Sequence, residues 1–158
     1  MARTFRTALL AMTTACVATS GLARAQGLAP TTYGEVLPDN IQWRSFPAFP
    51  KTVQLAIVVG EPQKPGPFVV RVRVPADAKI MPHMHPEDRI YTIISGVFYI
   101  GIGDKFDPEK LKAFAPDVLP GNTPHFHWAR SGEYVSQVSA IGPLGLNYIN
   151  PLDDPRKQ

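Results

Sequence analysis

The sequence has one cysteine, no long apolar run and little that could sustain a helix of several turns. The lone cysteine, Cys16, lies close to the amino terminus, so the rest of the chain has neither a disulfide framework nor a thiol nucleophile. No stretch approaches the roughly 18 uninterrupted apolar residues of a membrane-spanning helix. The 17 prolines and 12 glycines are spread widely enough to break most helical patterns. No Gly-x-Ser-x-Gly elbow, phosphate loop or dinucleotide fingerprint occurs. Gly101-Ile102-Gly103-Asp104 lacks a third glycine and a strand–helix setting, and reads as a turn. No pair of acids stands out as glycosidase machinery.

The chain also lacks a real excess of charge. Residues 1–25 have the form of a secretory leader. Arg3 and Arg6 form a positive start, Ala8 to Ala18 is short and mostly apolar, and Ala23-Arg24-Ala25 offers small residues at a cleavage site after Ala25. The competing expectation, a lipoprotein anchored through Cys16, has Thr13 where such signals favour leucine. Of the 16 basic residues three lie in this leader, which leaves 13 against the chain's 13 acids. The basic pI therefore belongs to the leader, and no field for nucleic acid or an anionic membrane remains. The expectation is a periplasmic or secreted protein whose residues 26–158 form one domain.

Within that domain the signal is β. Thr52–Val59, Phe68–Val74, Arg89–Ser95, Val97–Ile102 and Glu133–Ile141 are rich in branched and aromatic residues, and "VRVRV" alternates with the period of a half-buried strand. One short helix is expected at "DPEKLKAF", with Asp107 as cap, Pro108 in the first position and Glu109 at the positive end of the dipole. Many short strands separated by turns predict an all-β sandwich or barrel.

All four histidines of the chain fall into two pairs of identical spacing, His83-x-His85 and His125-x-His127. On a strand, residues two apart share a face, so each pair delivers two imidazoles into one space. Neutral imidazoles suit Fe, Zn, Cu, Ni or Mn. Four histidines satisfied merely as core residues are the alternative; the paired spacing favours the metal.

"PHMHPEDRIYTIISG" (Pro82–Gly96) and "LPGNTPHFHW" (Leu119–Trp128) together resemble the two motifs of the cupin superfamily. The resemblance implies a single-domain jelly-roll β-barrel, with the short helix between the motifs. It further implies a divalent transition metal, Fe(II) foremost and Zn, Mn, Ni or Cu as alternatives, held by His83, His85 and His125. The family's first motif supplies a glutamate four or five residues after the second histidine; here Arg89 stands four residues on, and a guanidinium cannot ligate a cation. Three readings stay open: an all-histidine site, Glu87 as a fourth ligand, or Arg89 in a surface pair with Glu87 or Asp88. An Arg89 facing the cavity would favour an anionic substrate. Tyr91 shares its parity and is a candidate catalytic hydroxyl. His127 is a candidate acid/base group, and Phe126 and Trp128 have the parity of the outer wall.

Cupins span many activities. The leading expectation is a dioxygenase-type enzyme acting on a small anionic or enolisable molecule, with a homodimer as the assembly. The alternatives are a metal-dependent isomerase or lyase, and a non-catalytic binder of a metal or metabolite.

Overall fold

The computed structural model describes residues 38–158; the expected leader and the first residues after it lie outside the described residues. Eleven strands are present: β1 (Arg44–Ser45), β2 (Gln54–Val59), β3 (Gly66–Val74), β4 (Lys79–Met84), β5 (Arg89–Ser95), β6 (Tyr99–Ile102), β7 (Lys112–Ala113), β8 (Asp117–Leu119), β9 (His125–Trp128), β10 (Tyr134–Gly142) and β11 (Asn147–Tyr148). They form two antiparallel sheets, ordered β1-β2-β3-β10-β5-β8 and β11-β4-β9-β6-β7. Helical structure among the described residues amounts to single 3₁₀ turns. The architecture fits a jelly roll.

The alternation in β3 works as the sequence suggests. Phe68, Val70, Val72 and Val74 are buried, while Arg71 and Arg73 between them stay partly exposed. Nine residues of β3 pair in unbroken register with β10, whose Tyr134, Ser136 and Val138 lie opposite Val74, Val72 and Val70. Tyr134, Phe98, Phe68 and Ile80 are among the bulkiest buried side chains of the shared core. The expected short helix is a single 3₁₀ turn, Pro108–Lys110, with the Asp107 carboxylate accepting from the Glu109 amide at 3.0 Å. Three residues are too few for an α-helix, and the backbone returns to extended geometry at Leu111.

Strand β4, which carries His83 and was not among the expected strands, contains Pro82, which cannot donate to a ladder. The structure accommodates it in a β-bulge. Ile80 pairs with His127 and His83 with His125, so β4 uses one residue more than β9 between these pairs. The extra residue lets Ile80 and His83, three apart, both point inward, where a regular strand would turn one outward. The bulge therefore sets His83 opposite His125.

Gly96 closes the turn between β5 and β6 with φ at +72°, and a β-carbon there would lie 2.2 Å from the Glu133 carbonyl oxygen. Both the dihedral and the approach demand glycine. Gly96→Ala is expected to cost about 2 kcal/mol or more, through overpacking added to backbone strain, read as a lowered urea midpoint with unchanged m-value.

Candidate metal centre

His83, His85 and His125 converge so that one ring nitrogen from each lies within 4.8 Å of the others. All three side chains are at most 3% exposed. His83 comes from β4, His125 from the facing strand β9, and His85 from the residue just beyond β4. Ring centroids are 4.3 Å apart for His83–His125, 4.9 Å for His83–His85 and 5.1 Å for His85–His125.

Each of the three rings is fixed by the same device. Nδ1 lies 2.7 Å from the Met81 carbonyl in His83, 2.7 Å from the Gly145 carbonyl in His85 and 2.8 Å from the Thr123 carbonyl in His125. A carbonyl only accepts, so each Nδ1 carries the proton and each Nε2 keeps its lone pair. That tautomer is the one a metal ligand needs. The Nε2 of His125 is buried and has no hydrogen-bond partner, a cost that a metal ion in its place would remove. The donor set and its orientation fit a divalent transition metal.

His127 is built differently. Its Nδ1 faces the Tyr134 hydroxyl at 3.4 Å, and its Nε2 is buried without a partner. The ring stands edge-on to Phe98 at 4.7 Å and lies 5.2 Å from His83. It lines the same cavity as His83 and His85, together with Arg89, Tyr91, Tyr134 and Phe49. The open volume there is about 10 Å³, room for roughly one water molecule. A larger hollow of about 330 Å³ lies elsewhere, lined by Phe46, Leu55, Ile57 and Leu144 among others, and contains none of the histidines.

Arg89 and Tyr91 both point inward from β5, at 3% and 2% exposure. The Arg89 guanidinium donates through Nε to Glu87 Oε1 at 3.1 Å, through Nη2 to the same oxygen, and through Nη2 to the Gly145 carbonyl at 3.1 Å. The pair is buried, with side chains 4% and 8% exposed, unlike the surface pair among the expectations. Glu87 lies outside the group of three histidines; its Oε2 accepts from the Gly145 amide at 3.2 Å. Asp88 accepts from the Gly121 amide at 2.7 Å. Phe126 and Trp128 turn to the other side of β9, where Phe126 meets Phe106 at 5.0 Å. Tyr134 and Gly145 were not identified from the sequence. Tyr134 comes from the opposite sheet, and Gly145 acts through its backbone alone, so neither carries a local signal.

Burial holds every imidazole below its ordinary pKa. It dominates in His83, His85 and His127, which are driven well down, and neighbouring histidines and the Arg89 charge push the same way. His125 is lowered to about 4, again chiefly by burial. All four are neutral at neutral pH. Burial raises the Tyr91 hydroxyl, an effect that Arg89 partly offsets, and drives Tyr134 well above the usual phenol value.

No protein-family model matches the sequence, and no curated protein matches it. Solved structures do. The polyketide cyclase RemF from Streptomyces resistomycificus matches with a TM-score of 0.61 at 13% identity, over 78% of this chain and 90% of that one. A cupin-2 domain from Rhodospirillum rubrum matches with a TM-score of 0.54 at 13% identity, over 80% and 86%. This chain has the cupin fold. The DMSP lyase DddQ from Ruegeria pomeroyi adds a match with a TM-score of 0.52 at 19% identity, over 66% of this chain and 57% of that one. At such identities the likeness describes the fold, and the three convergent imidazoles carry the argument for a metal.

Two outcomes test the centre. His83→Ala and His125→Ala are each expected to abolish stoichiometric metal in protein refolded with Fe(II), Mn(II), Zn(II) or Co(II); retained metal in either overturns the ligand set. The second concerns pH. The folded imidazoles have pKa values below the unfolded value of about 6.5. The unfolded state therefore binds more protons as pH falls through that value. Stability of the metal-free protein is full above it and lost progressively toward about 4, the His125 value. His127→Phe is expected to remove up to about 1.4 kcal/mol per pH unit of that slope, measured by urea melts between pH 8 and 4.5.

Proposed function

We propose that this protein is an exported, metal-dependent enzyme that moves a proton on a small anionic or enolisable organic molecule, as an isomerase or lyase does. The observation that carries this reading is the contrast among the four histidines. Three are locked on carbonyls with Nε2 lone pairs converging, and the fourth is backed by Tyr134 and held free of the cluster. A metal on His83, His85 and His125 would act as a Lewis acid on a bound carbonyl or carboxylate oxygen.

His127 is the group that takes up the movable proton. It is neutral at neutral pH because of its burial, so its unpartnered Nε2 accepts a proton from the substrate while Tyr134 buffers Nδ1. Neutral ligands leave the metal's full positive charge in place, and Arg89 adds a cation beside them that Glu87 offsets. That balance favours an anionic substrate. The confined cavity, with room for about one water, favours exclusion of bulk water from the site. Tyr91, beside the Arg89 guanidinium, orients the anionic end. The solved structures with printed activities, a cyclase and a lyase, carry non-oxidative names.

One observation favours a second reading, dioxygenase-type cleavage. An all-imidazole set leaves several coordination positions open, and an oxygenase needs them for substrate and oxygen together. Export rests on the leader sequence alone.

The deciding experiment loads the protein with Mn(II), Zn(II) or Fe(II) and offers 1,3-dicarbonyl and β-functionalised carboxylic acids in deuterium oxide without oxygen. Exchange or elimination at the acidic carbon is expected, reduced at least about 100-fold in His127→Phe with metal content unchanged. Oxygen uptake by the Fe(II) form with no anaerobic turnover would replace the proposal with the dioxygenase.

A further inference from the structure

We infer that Glu87 and Arg89 form a positioning clamp for the metal ligand His85, acting through the backbone of Gly145. The inference rests on the reading of the three histidines as a metal site.

Five hydrogen bonds define the clamp, two of them from Arg89 Nε and Nη2 to Glu87 Oε1. The Gly145 carbonyl accepts from His85 Nδ1 at 2.7 Å and from Arg89 Nη2 at 3.1 Å. The Gly145 amide donates to Glu87 Oε2 at 3.2 Å, and Glu87 Oε1 accepts from Arg89. Both faces of one residue's backbone are thus gripped by a buried ion pair, and the carbonyl so held fixes the ring of His85. His83 and His125 need no such help. Their carbonyl partners, Met81 and Thr123, lie two residues back on the same chain segment. The partner of His85 lies 60 residues away, in the connection between β10 and β11. A ligand that depends on a distant loop needs that loop tied down.

Steric fit supports the same conclusion. A β-carbon on Gly145 would lie 2.6 Å from both Cδ and Cγ of Pro86, the residue next to Glu87. Only glycine lets the loop approach closely enough for Glu87 to reach the amide. Across the segment, a β-carbon on Gly121 would lie 2.5 Å from the Pro86 carbonyl oxygen, so Pro86 and Glu87 are wedged between two glycines. Both oxygens of the Glu87 carboxylate are engaged within the clamp, Oε1 by Arg89 and Oε2 by the Gly145 amide.

The test uses Co(II), whose visible absorption reports coordination geometry, on full-length protein shown to be folded. Glu87→Gln, Arg89→Met and Gly145→Ala are each expected to weaken Co(II) binding about 10- to 100-fold and to shift the absorption bands. The downfield His85 Nδ1–H proton resonance of the metal-free protein should also broaden or vanish in each. Arg89→Lys, which keeps the charge and a single donor nitrogen, is expected to fall between wild type and Arg89→Met. Where a single change leaves a buried charge unpaired and the protein fails to fold, the neutral pair Glu87→Gln/Arg89→Gln replaces it. Wild-type affinity and spectrum in Gly145→Ala and in the neutral pair would overturn the clamp while leaving the metal site intact. Failure of the unmutated protein to bind Co(II) stoichiometrically would overturn the site and the clamp together.

Discussion

The site depends on backbone carbonyls that hold the proton of each ligand histidine on Nδ1. Three imidazoles brought within van der Waals range can just as well bond to one another or swing to solvent. Fixing each Nδ1 on an oxygen removes those alternatives before any ion arrives. Two of the three carbonyls come from residues two positions upstream, so the device is local and repeated: the β4 bulge supplies Met81, and the approach to β9 supplies Thr123. The third is remote, and the buried Glu87–Arg89 pair follows from it. A charged pair is a costly thing to bury, and its presence beside the ligand cluster makes sense once Gly145 must be held in place.

The same logic separates the fourth histidine from the other three. His127 shares their strand face and their low pKa, yet a tyrosine of the opposite sheet takes the place of a carbonyl. A hydroxyl both donates and accepts, so it tolerates either tautomer where a carbonyl enforces one. The fold thus places three fixed imidazoles and one adaptable imidazole around a single small space. That division is the physical basis for assigning binding to the first group and proton movement to the last.

Much of this was legible in the sequence because side-chain pattern and chemistry coincided. The alternation of "VRVRV" gave β3 its faces, and the doubled His-x-His spacing located the metal cluster. The Pro-led capping of "DPEKLKAF" placed the one turn of helix between the motifs. What stayed hidden was carried by backbone or by contacts remote in sequence. Strand β4 was not among the expected strands, and its Pro82 is accommodated beside a bulge that no local pattern announces. The shortest strands, β1, β7 and β11, have two residues each and no periodicity to read. The sequence left open whether Arg89 faces the cavity or the surface, because its engagement with Glu87 and a carbonyl 56 residues on is a property of the folded loop.

The confinement of the histidine cavity bears on how the protein would acquire its ion. A hydrated divalent cation is wider than a space sized for one water, so it reaches the imidazoles only by shedding most of its water shell as a wall opens. Exchange in the folded state would then be slow in both directions, whatever the affinity. Loading during folding, before the cavity around the cluster is formed, would be the fast route, and which ion the protein carries would reflect the metals around it at that moment as much as the preference of its ligands.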